Sequence, residues 1–475
     1  MPDVHDLQVS ECFEAPGPAF HAYAAPLEAA EGLARDGGLM RVDPDSPGLD
    51  RSRHPLSQLL PSKAADHQGR EPASVHLSPS PRPLDTIIRE VTLVNNRFSY
   101  EQLFTEAGLL MRFGLIGCGW IVERDHIPAM LQSDKVEIVA TADVAAERAR
   151  LAARIAGVAD SAAYSDYRGL LERGDVDIVS VASPPSTRPQ IIRDAAAAGK
   201  HVVCEKPFAL SLAAADEMIA ACQAAGVTLA IYHNYLYYYE HRLATQLIAE
   251  GKIGDVVATE ICGLGSQPWM GAEQFRPGWR FDPAMAGGGV MMDIGVHSFY
   301  LTELMHAEPA QSVMARMRFA DSGVDDHAYC QLALGGATGL VNIAWGEGTA
   351  RFEIDGTAGY ISYVYDEGAG YFGLAVRAVR VGSVEGPTVT HHVPPGRTQF
   401  TPEIFADLVD TITGERNAFR SFGPEGRRAL EIALAAYQSV AEGKPAALPV
   451  LPDQPVYSDG AVPLLESRKV PAHAS

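Results

Sequence analysis

Cysteine is scarce in this chain. Six occur in 475 residues, at Cys12, Cys118, Cys204, Cys222, Cys262 and Cys330, and no two form a C-x-x-C pair. That excludes the usual zinc spacings, so no metal is expected, and it argues against a disulfide framework. Positive charge is also short: 38 Lys and Arg stand against 59 Asp and Glu, a formal net charge of −21. So acidic a chain repels phosphate backbones and anionic lipid, and neither nucleic acid nor membrane is an expected partner. No run approaches the roughly 20 uninterrupted apolar residues of a spanning helix. The segment Met1 to Phe20 lacks the basic start and apolar stretch of a secretory signal, so a cytoplasmic location is expected. What remains is ordinary globular composition, 47% apolar and 20% charged. At about 100–200 residues per domain, such a chain holds two to four domains.

Proline is unevenly spread. About a dozen of the 32 prolines precede Leu84, interleaved with Gly, Ser and Asp, as in Ser78-Pro79-Ser80-Pro81-Arg82-Pro83. Proline removes backbone donors at that density, and residues 1–110 are expected to be a disordered extension, or to precede a true start at Met111. From Met111 short apolar runs alternate with helical stretches. Arg112–Ile116, Val136–Ala142, Val176–Val181, His201–Cys204 and Val227–Tyr232 read as strands, with helices over 145–156, 188–198 and 210–225 between them. Strands of about five residues separated by helices of ten or more imply βαβ units and a parallel sheet. After a helix over 240–250 the pattern changes. Segments 311–319, 327–334, 339–345 and 360–365 read as strands divided by turn signals, which implies a mostly antiparallel sheet. A helix over 425–442 precedes a Pro-rich tail.

The fold class expected is therefore α/β. Its parts are a dinucleotide-binding domain over 111–232, an α/β domain with an open, mostly antiparallel sheet over 233–450, and a tail over 451–475. Gly117-Cys118-Gly119 follows the first strand and precedes a helix, the context in which a glycine turn lets backbone N–H groups meet a pyrophosphate. Trp120 and Ile121 complete that turn. The third position, where Gly or Ala usually stands, is Val122. Asp143 ends the second strand, where a carboxylate accepts hydrogen bonds from ribose hydroxyls and repels a 2′-phosphate. NAD is the expected cofactor, with NADP as the alternative.

Three runs then appear in order: Gly117-Cys118-Gly119, Ala198-Gly199-Lys200-His201-Val202-Val203-Cys204-Glu205-Lys206-Pro207, and Gly287-Gly288-Gly289-Val290-Met291-Met292-Asp293-Ile294-Gly295-Val296-His297. From Arg112 to Val450 the chain resembles the Gfo/Idh/MocA family of glucose–fructose oxidoreductase and inositol dehydrogenase. The resemblance includes the D-G-T-x-G turn at 355–359 and the E-G-R-R-A-L helix at 425–430. It implies an NAD(P)-dependent oxidoreductase acting on a secondary alcohol of a sugar, polyol or sugar derivative, built as a homodimer or homotetramer through the second sheet. It implies catalytic roles for Lys206, Asp293 and His297: His297 as general base, Lys206 orienting and polarising the hydroxyl, Asp293 fixing substrate or imidazole. Glu205 would contact the nicotinamide ribose, Pro207 would be cis, the Ser183-Pro184 loop would lie near the nicotinamide, and Trp279-Arg280 would line the cofactor or substrate. An ordinary His pKa near 6.5 suits a base at neutral pH. If the segment is helical, Asp293 and His297 share one face, and the glycines before them allow close approach to a ligand.

The chain departs from the family at two places. The loop after the third strand ends in Arg188 rather than His, which leaves a solvent contact open. Asn234-Tyr235-Leu236-Tyr237-Tyr238-Tyr239 keeps the family's Asn but loses its Arg and Pro. Asn234 and Tyr237 are the substrate candidates there, since tyrosines suit sugar faces. His233, His241, His391 and His392 read as surface or internally satisfied histidines. Family members that are NAD-dependent glycosidases, and others that are non-catalytic dinucleotide-binding regulators, are the alternative readings.

Overall fold

The structure is a computed structural model that describes residues 110–266, 278–346, 348–366, 376–384, 386–394 and 402–469, all within the compact unit Arg89–Ser475. Apart from Leu110, the proline-rich extension lies outside the described residues.

The first sheet contains β1 (Met111–Ile116), β2 (Val136–Ala142), β3 (Ala163–Tyr164), β4 (Ile178–Val181), β5 (His201–Cys204) and β6 (Leu229–Ile231). They run in the order β3-β2-β1-β4-β5-β6, and every pairing is parallel. All four residues of β4 are buried, as expected of a parallel strand covered on both faces. The crossovers carry α1 (Ile127–Leu131), α2 (Ala146–Ile155), α3 (Tyr167–Leu171), α4 (Arg188–Ala197) and α5 (Leu212–Ala224). Strand order reverses between β1 and β4, and ligands of such sheets bind in the crevice outside the carboxyl ends of those strands.

After α6 (Tyr239–Ala249), the chain builds a second sheet from β7 (Val256–Ser266), β8 (Ser312–Phe319), β9 (Asp325–Leu334), β10 (Ala337–Trp345), β11 (Ala350–Gly356), β12 (Gly359–Tyr365), β13 (Val376–Ser383), β14 (Val389–His392) and β15 (Ala446–Ala447). Among the described residues its order is β14-β13-β12-β11-β7-β10-β9-β8-β15. The β7–β10 pair is parallel and the others are antiparallel. Strands β7, β11, β13 and β14 are not among those expected from the sequence. In β13, for example, Val376, Ala378, Val379 and Val381 are all buried, so strict alternation is lost.

Helices α7 (Pro283–Ala286) and α8 (Val296–His306) lie between β7 and β8, and α9 (Pro402–Thr413) and α10 (Gly423–Glu442) follow β14. One face of the second sheet packs against α6, α8 and α10, while α10 also reaches β6 and α5 and so ties the two sheets together. The stretch read as a tail contains α11 (Pro455–Asp459) and α12 (Val462–Glu466), with Leu465 fully buried in the main core. No helix among the described residues is long and apolar enough to cross a membrane.

Candidate active site

The glycine turn is shaped for a close neighbour. Gly117 has φ 85°, and a Cβ there would stand 2.8 Å from the Ala182 carbonyl carbon and the Ser183 nitrogen. Only glycine lets β1 pass that close to the loop after β4. Above Gly119 the space is open: a Cβ there would find its nearest neighbour, an Arg148 nitrogen, 4.0 Å away. Cys118 offers its backbone N–H to the turn, while its buried thiol donates to the Ala142 carbonyl at 3.5 Å and has its pKa raised by burial. Val122, which replaces the third glycine, is fully buried at the start of a π turn over Val122–His126. That wider turn, rather than an α-helical one, follows the glycines. Trp120 precedes it half-buried, with the Arg124 guanidinium 5.5 Å from its ring centre, and Ile121 packs on the neighbouring core.

Asp143 ties this loop together. One carboxylate oxygen accepts from Cys118 N and the other from Ala145 N, each at 2.8 Å. A carboxylate oxygen has two lone pairs, so both can also meet a ribose hydroxyl. The open space at Gly119, the N–H groups a helix leaves unmatched at its start and the carboxylate just after β2 together fit a dinucleotide.

The Glu205-Lys206-Pro207 turn follows β5, and its Lys206–Pro207 bond is cis. Two buried side chains hold it. His126 bonds Glu205 Oε1 at 3.0 Å through Nε2 and Ser180 Oγ at 2.9 Å through Nδ1. Burial alone would raise the Glu205 pKa. The His126 hydrogen bond and the charges of Lys206 and Arg188 overcome that and hold it below its ordinary value. In this structure Glu205 therefore meets His126. Arg188, 3% exposed, donates from Nε to the Ser183 carbonyl at 2.8 Å and from Nη1 to the carbonyls of Glu205 and Pro207. The solvent contact left open for Arg188 is thus not found. It clamps the Ser183-Pro184 loop to the Lys206 turn.

Lys206 Nζ donates to the Asp293 carbonyl at 2.8 Å and lies 3.5 Å from Asp293 Oδ1, with its side chain 15% exposed. Arg280, which stacks on Trp279, donates to the same Oδ1 at 2.7 Å, and Trp345 Nε1 donates to Oδ2 at 3.4 Å. Burial would raise the Asp293 pKa, but the charges of Arg280 and Lys206 hold it below the ordinary carboxylate value. One buried carboxylate thus balances two partly exposed cations.

Asp293 lies in a second π turn, Met291–Gly295, and His297 is the second residue of α8. The two were expected on one helical face. The turn that carries Asp293 is the wider π form, in which four residues still make nearly one full turn to His297. His297, 2% exposed, stacks on Tyr235 with ring centres 4.0 Å apart, and its Nδ1 lies 2.6 Å from Tyr300 Oη. Its pKa is held well below 6.5, chiefly by burial and then by the Lys206 charge, so the ordinary value expected from sequence does not apply.

The upstream glycines pack closely against the core. A Cβ on Gly288 would meet Tyr437 Oη at 2.0 Å, and one on Gly289 would meet the Asp325 carbonyl at 1.8 Å. They seat the segment on Tyr437 and Asp325, and both glycines also line a small pocket with Trp279, Arg280, Asp293 and Trp345. Buried Asp325 accepts from the N–H groups of Gly289 and Met291, each at 2.7 Å, and so anchors the π turn.

Asn234 donates to Asp125 Oδ2 at 3.2 Å and to Tyr238 Oη at 3.3 Å, and burial pushes the Asp125 pKa up to about 6. Tyr237 packs on Phe419 and lines a cavity of about 950 Å³ together with His233 and Tyr300. The tyrosine of that run which meets His297 is Tyr235. His233 and His241 are buried and satisfied, by Ser421 at 2.9 Å and Tyr363 at 3.0 Å. No cluster of three or more metal-ligating side chains occurs among the described residues. Tyr300 was open to discovery from sequence, because three residues on from His297 is one helical turn. His126, Asp325 and Trp345 reach the site from distant segments and no local pattern marks them, whereas Arg188 is marked by its place at the end of the proline loop but not by its role.

Residues 111–233 match the family described as "Oxidoreductase family, NAD-binding Rossmann fold", and residues 241–362 match the GFO/IDH/MocA C-terminal domain. The chain belongs to the Gfo/Idh/MocA oxidoreductase family. It is 34% identical over 203 residues to a 1,5-anhydro-D-fructose reductase of Ensifer adhaerens, covering 42% of this chain and 59% of the relative. It is 28% identical over 259 residues to a D-apiose dehydrogenase of Paraburkholderia graminis, covering 52% and 65%. The chain thus spans less than two thirds of each of these Gfo/Idh/MocA relatives. An aldose–aldose oxidoreductase from Caulobacter crescentus, solved with glycerol, superposes with a TM-score of 0.62 at 26% identity, covering 71% of this chain and all of that one.

Proposed function

We propose that this Gfo/Idh/MocA protein is an NAD(P)-dependent oxidoreductase that interconverts a secondary alcohol of a sugar, polyol or sugar derivative and its ketone or lactone. The observation that carries this reading is the meeting of Lys206, just after β5 in the domain that bears the glycine turn, with Asp293, four residues before the buried His297. The names of the curated relatives, a sugar reductase and a sugar dehydrogenase, support the substrate class.

Gly117, Cys118 N, Gly119, Trp120, Ile121 and Asp143 would hold the pyrophosphate and adenosine side of the dinucleotide, and Ser183, Pro184 and Glu205 its nicotinamide side. Bound NAD+ or NADP+ supplies the hydride acceptor. The ammonium of Lys206, with two donors committed to Asp293, retains a third for the substrate oxygen and stabilises negative charge there. Asp293, held ionised by Arg280, keeps Lys206 in place. His297 takes the hydroxyl proton, a role worth about 10²–10⁴ in rate. The outer face of the second sheet exposes Tyr329 and Tyr360, which supports pairing of copies through that face as a homodimer or homotetramer. The test is a screen of NAD+ and NADP+ against aldoses, anhydrosugars, inositols and nucleotide sugars, followed at the nicotinamide absorbance. Absence of reduction by every member counts against the assignment.

A further inference from the structure

A buried base faces an electrostatic difficulty. His297 is 2% exposed, and burial, the Lys206 charge and the neighbouring His233 and His241 all disfavour its imidazolium. A proton taken from a substrate hydroxyl therefore cannot rest on the ring at low cost. The ring has a second nitrogen, and Tyr300 Oη lies 2.6 Å from it. Tyr300 is half-buried, its ring stacks on His233 with centres 4.1 Å apart, and it forms part of the wall of the cavity of about 950 Å³. Gln246, Arg242, Glu303 and Glu403 line the same cavity, so its surface is polar enough to hold water.

We propose that Tyr300 is a proton relay between His297 and this cavity, so that His297 works by exchanging tautomers instead of becoming charged. The proposal rests on the dehydrogenase reading above. In the oxidative direction His297 begins with its proton on Nδ1, donated to Tyr300 Oη, and a bare Nε2. The substrate O–H bond breaks as an Nε2–H bond forms. The Nδ1 proton passes to Tyr300 Oη, and the original phenol proton passes to water in the cavity. The carbinol C–H electron pair leaves as hydride to the oxidised nicotinamide, and a carbonyl remains. His297 is then neutral with its proton on Nε2, Tyr300 is again a neutral phenol, and the water carries the released proton. Run in reverse, the same groups deliver a proton to a ketone during reduction. After product release Nε2 gives its proton to water on the substrate side, Tyr300 passes its proton back to Nδ1, and water in the cavity returns one to Tyr300.

Tyr300→Phe removes the hydroxyl and keeps the ring that stacks on His233. Wild type and variant, as full chains, are assayed in H2O–D2O mixtures with NAD+ and D-xylose, or with the sugar of the screen that is turned over fastest. The relay predicts a kcat lowered about 10- to 100-fold, with NADH affinity by fluorescence changed by less than about twofold. The wild-type proton inventory should be bowed, with more than one proton in flight, and that of Tyr300→Phe linear. A readout independent of turnover is nitrogen NMR of histidine-labelled protein, with His297→Gln as the assignment control. The His297 ring should hold its proton on Nδ1 in the wild type and shift toward Nε2 in Tyr300→Phe. If Tyr300→Phe fails to fold, Tyr300→Gln, whose amide oxygen accepts from Nδ1 but passes no proton, should show the same kinetic loss. Unchanged kcat and inventory in the variant overturn the relay and leave the dehydrogenase reading standing. Lost turnover with the inventory still bowed makes Tyr300 an orienting group only and also overturns the relay. If wild type reduces neither NAD+ nor NADP+ with any sugar of the screen, the dehydrogenase reading falls, and the relay with it.

Discussion

Arg188→Met tests how the catalytic turn is held. The substitution keeps most of the aliphatic stem and removes a guanidinium that is 3% exposed and bonded to the carbonyls of Ser183, Glu205 and Pro207. A hydrogen bond from a charged donor contributes about 1.5–3 kcal/mol, so three such bonds are worth about 5–9 kcal/mol gross. Releasing a buried cation to water returns several kcal/mol of that. The carbonyls left behind lose their partner in a closed site, and breaking a buried charged contact typically costs about 3–5 kcal/mol net. That net value is the expected loss in a urea unfolding experiment. The damage should also be local, because Lys206 lies between two of the three clamped carbonyls. Turnover should therefore fall even under conditions where the variant is fully folded, and dinucleotide affinity should weaken as the Ser183-Pro184 loop loosens. Arg188→Lys should rescue little, since an ammonium cannot reproduce the planar fork that reaches separate carbonyls. A variant with wild-type stability and wild-type turnover would refute the clamp.

Three further outcomes are expected. His297→Ala should lower kcat and kcat/KM together by about 10²–10⁴ with dinucleotide affinity nearly unchanged. Because the His297 pKa is held well below 6.5, wild-type kcat/KM should show no acid limb from this residue near neutrality, and a limb at about pH 6.5 that vanishes in His297→Ala would contradict the burial argument. Asp143→Ala should weaken NAD+ binding by about 1–3 kcal/mol and favour NADP+ relatively, while loosening the turn at Cys118 that Asp143 bonds; a wild-type preference for NADP+ in a titration would sink the ribose role. Burial lowers the His241 pKa to about 3 in the folded chain, against about 6.5 unfolded. The unfolded state then binds more protons, so this residue's share of stability is intact above pH 6.5 and is lost as pH falls, at about 1.4 kcal/mol per pH unit below about pH 6. His241→Gln, which can still bond Tyr363, should flatten the fall of unfolding free energy with acid by that slope, and an unchanged slope would refute it.

The amino-acid sequence by itself determined the parallel sheet, the glycine turn and the three segments that carry Lys206, Asp293 and His297. These are local properties: strand and helix period, a turn that only glycine permits at Gly117, and short runs whose chemistry is continuous along the chain. Tertiary structure alone decided how those residues are held and charged. Arg188 and His126 reach the Lys206 turn from 17 and 79 residues away, and Asp325 holds the π turn bearing Asp293 from 36 residues beyond Gly289. Such pairings leave no periodic trace, because each partner is one polar residue in an otherwise ordinary segment. The π turn at Met291–Gly295 that carries Asp293 is likewise anchored by the Asp325 carboxylate and not by any local pattern. The protonation behaviour of His297 could not be read from its identity either. A histidine titrates near 6.5 in water, and only the packing of Tyr235, Tyr300 and the Lys206 charge around this one removes the water that would stabilise its cation.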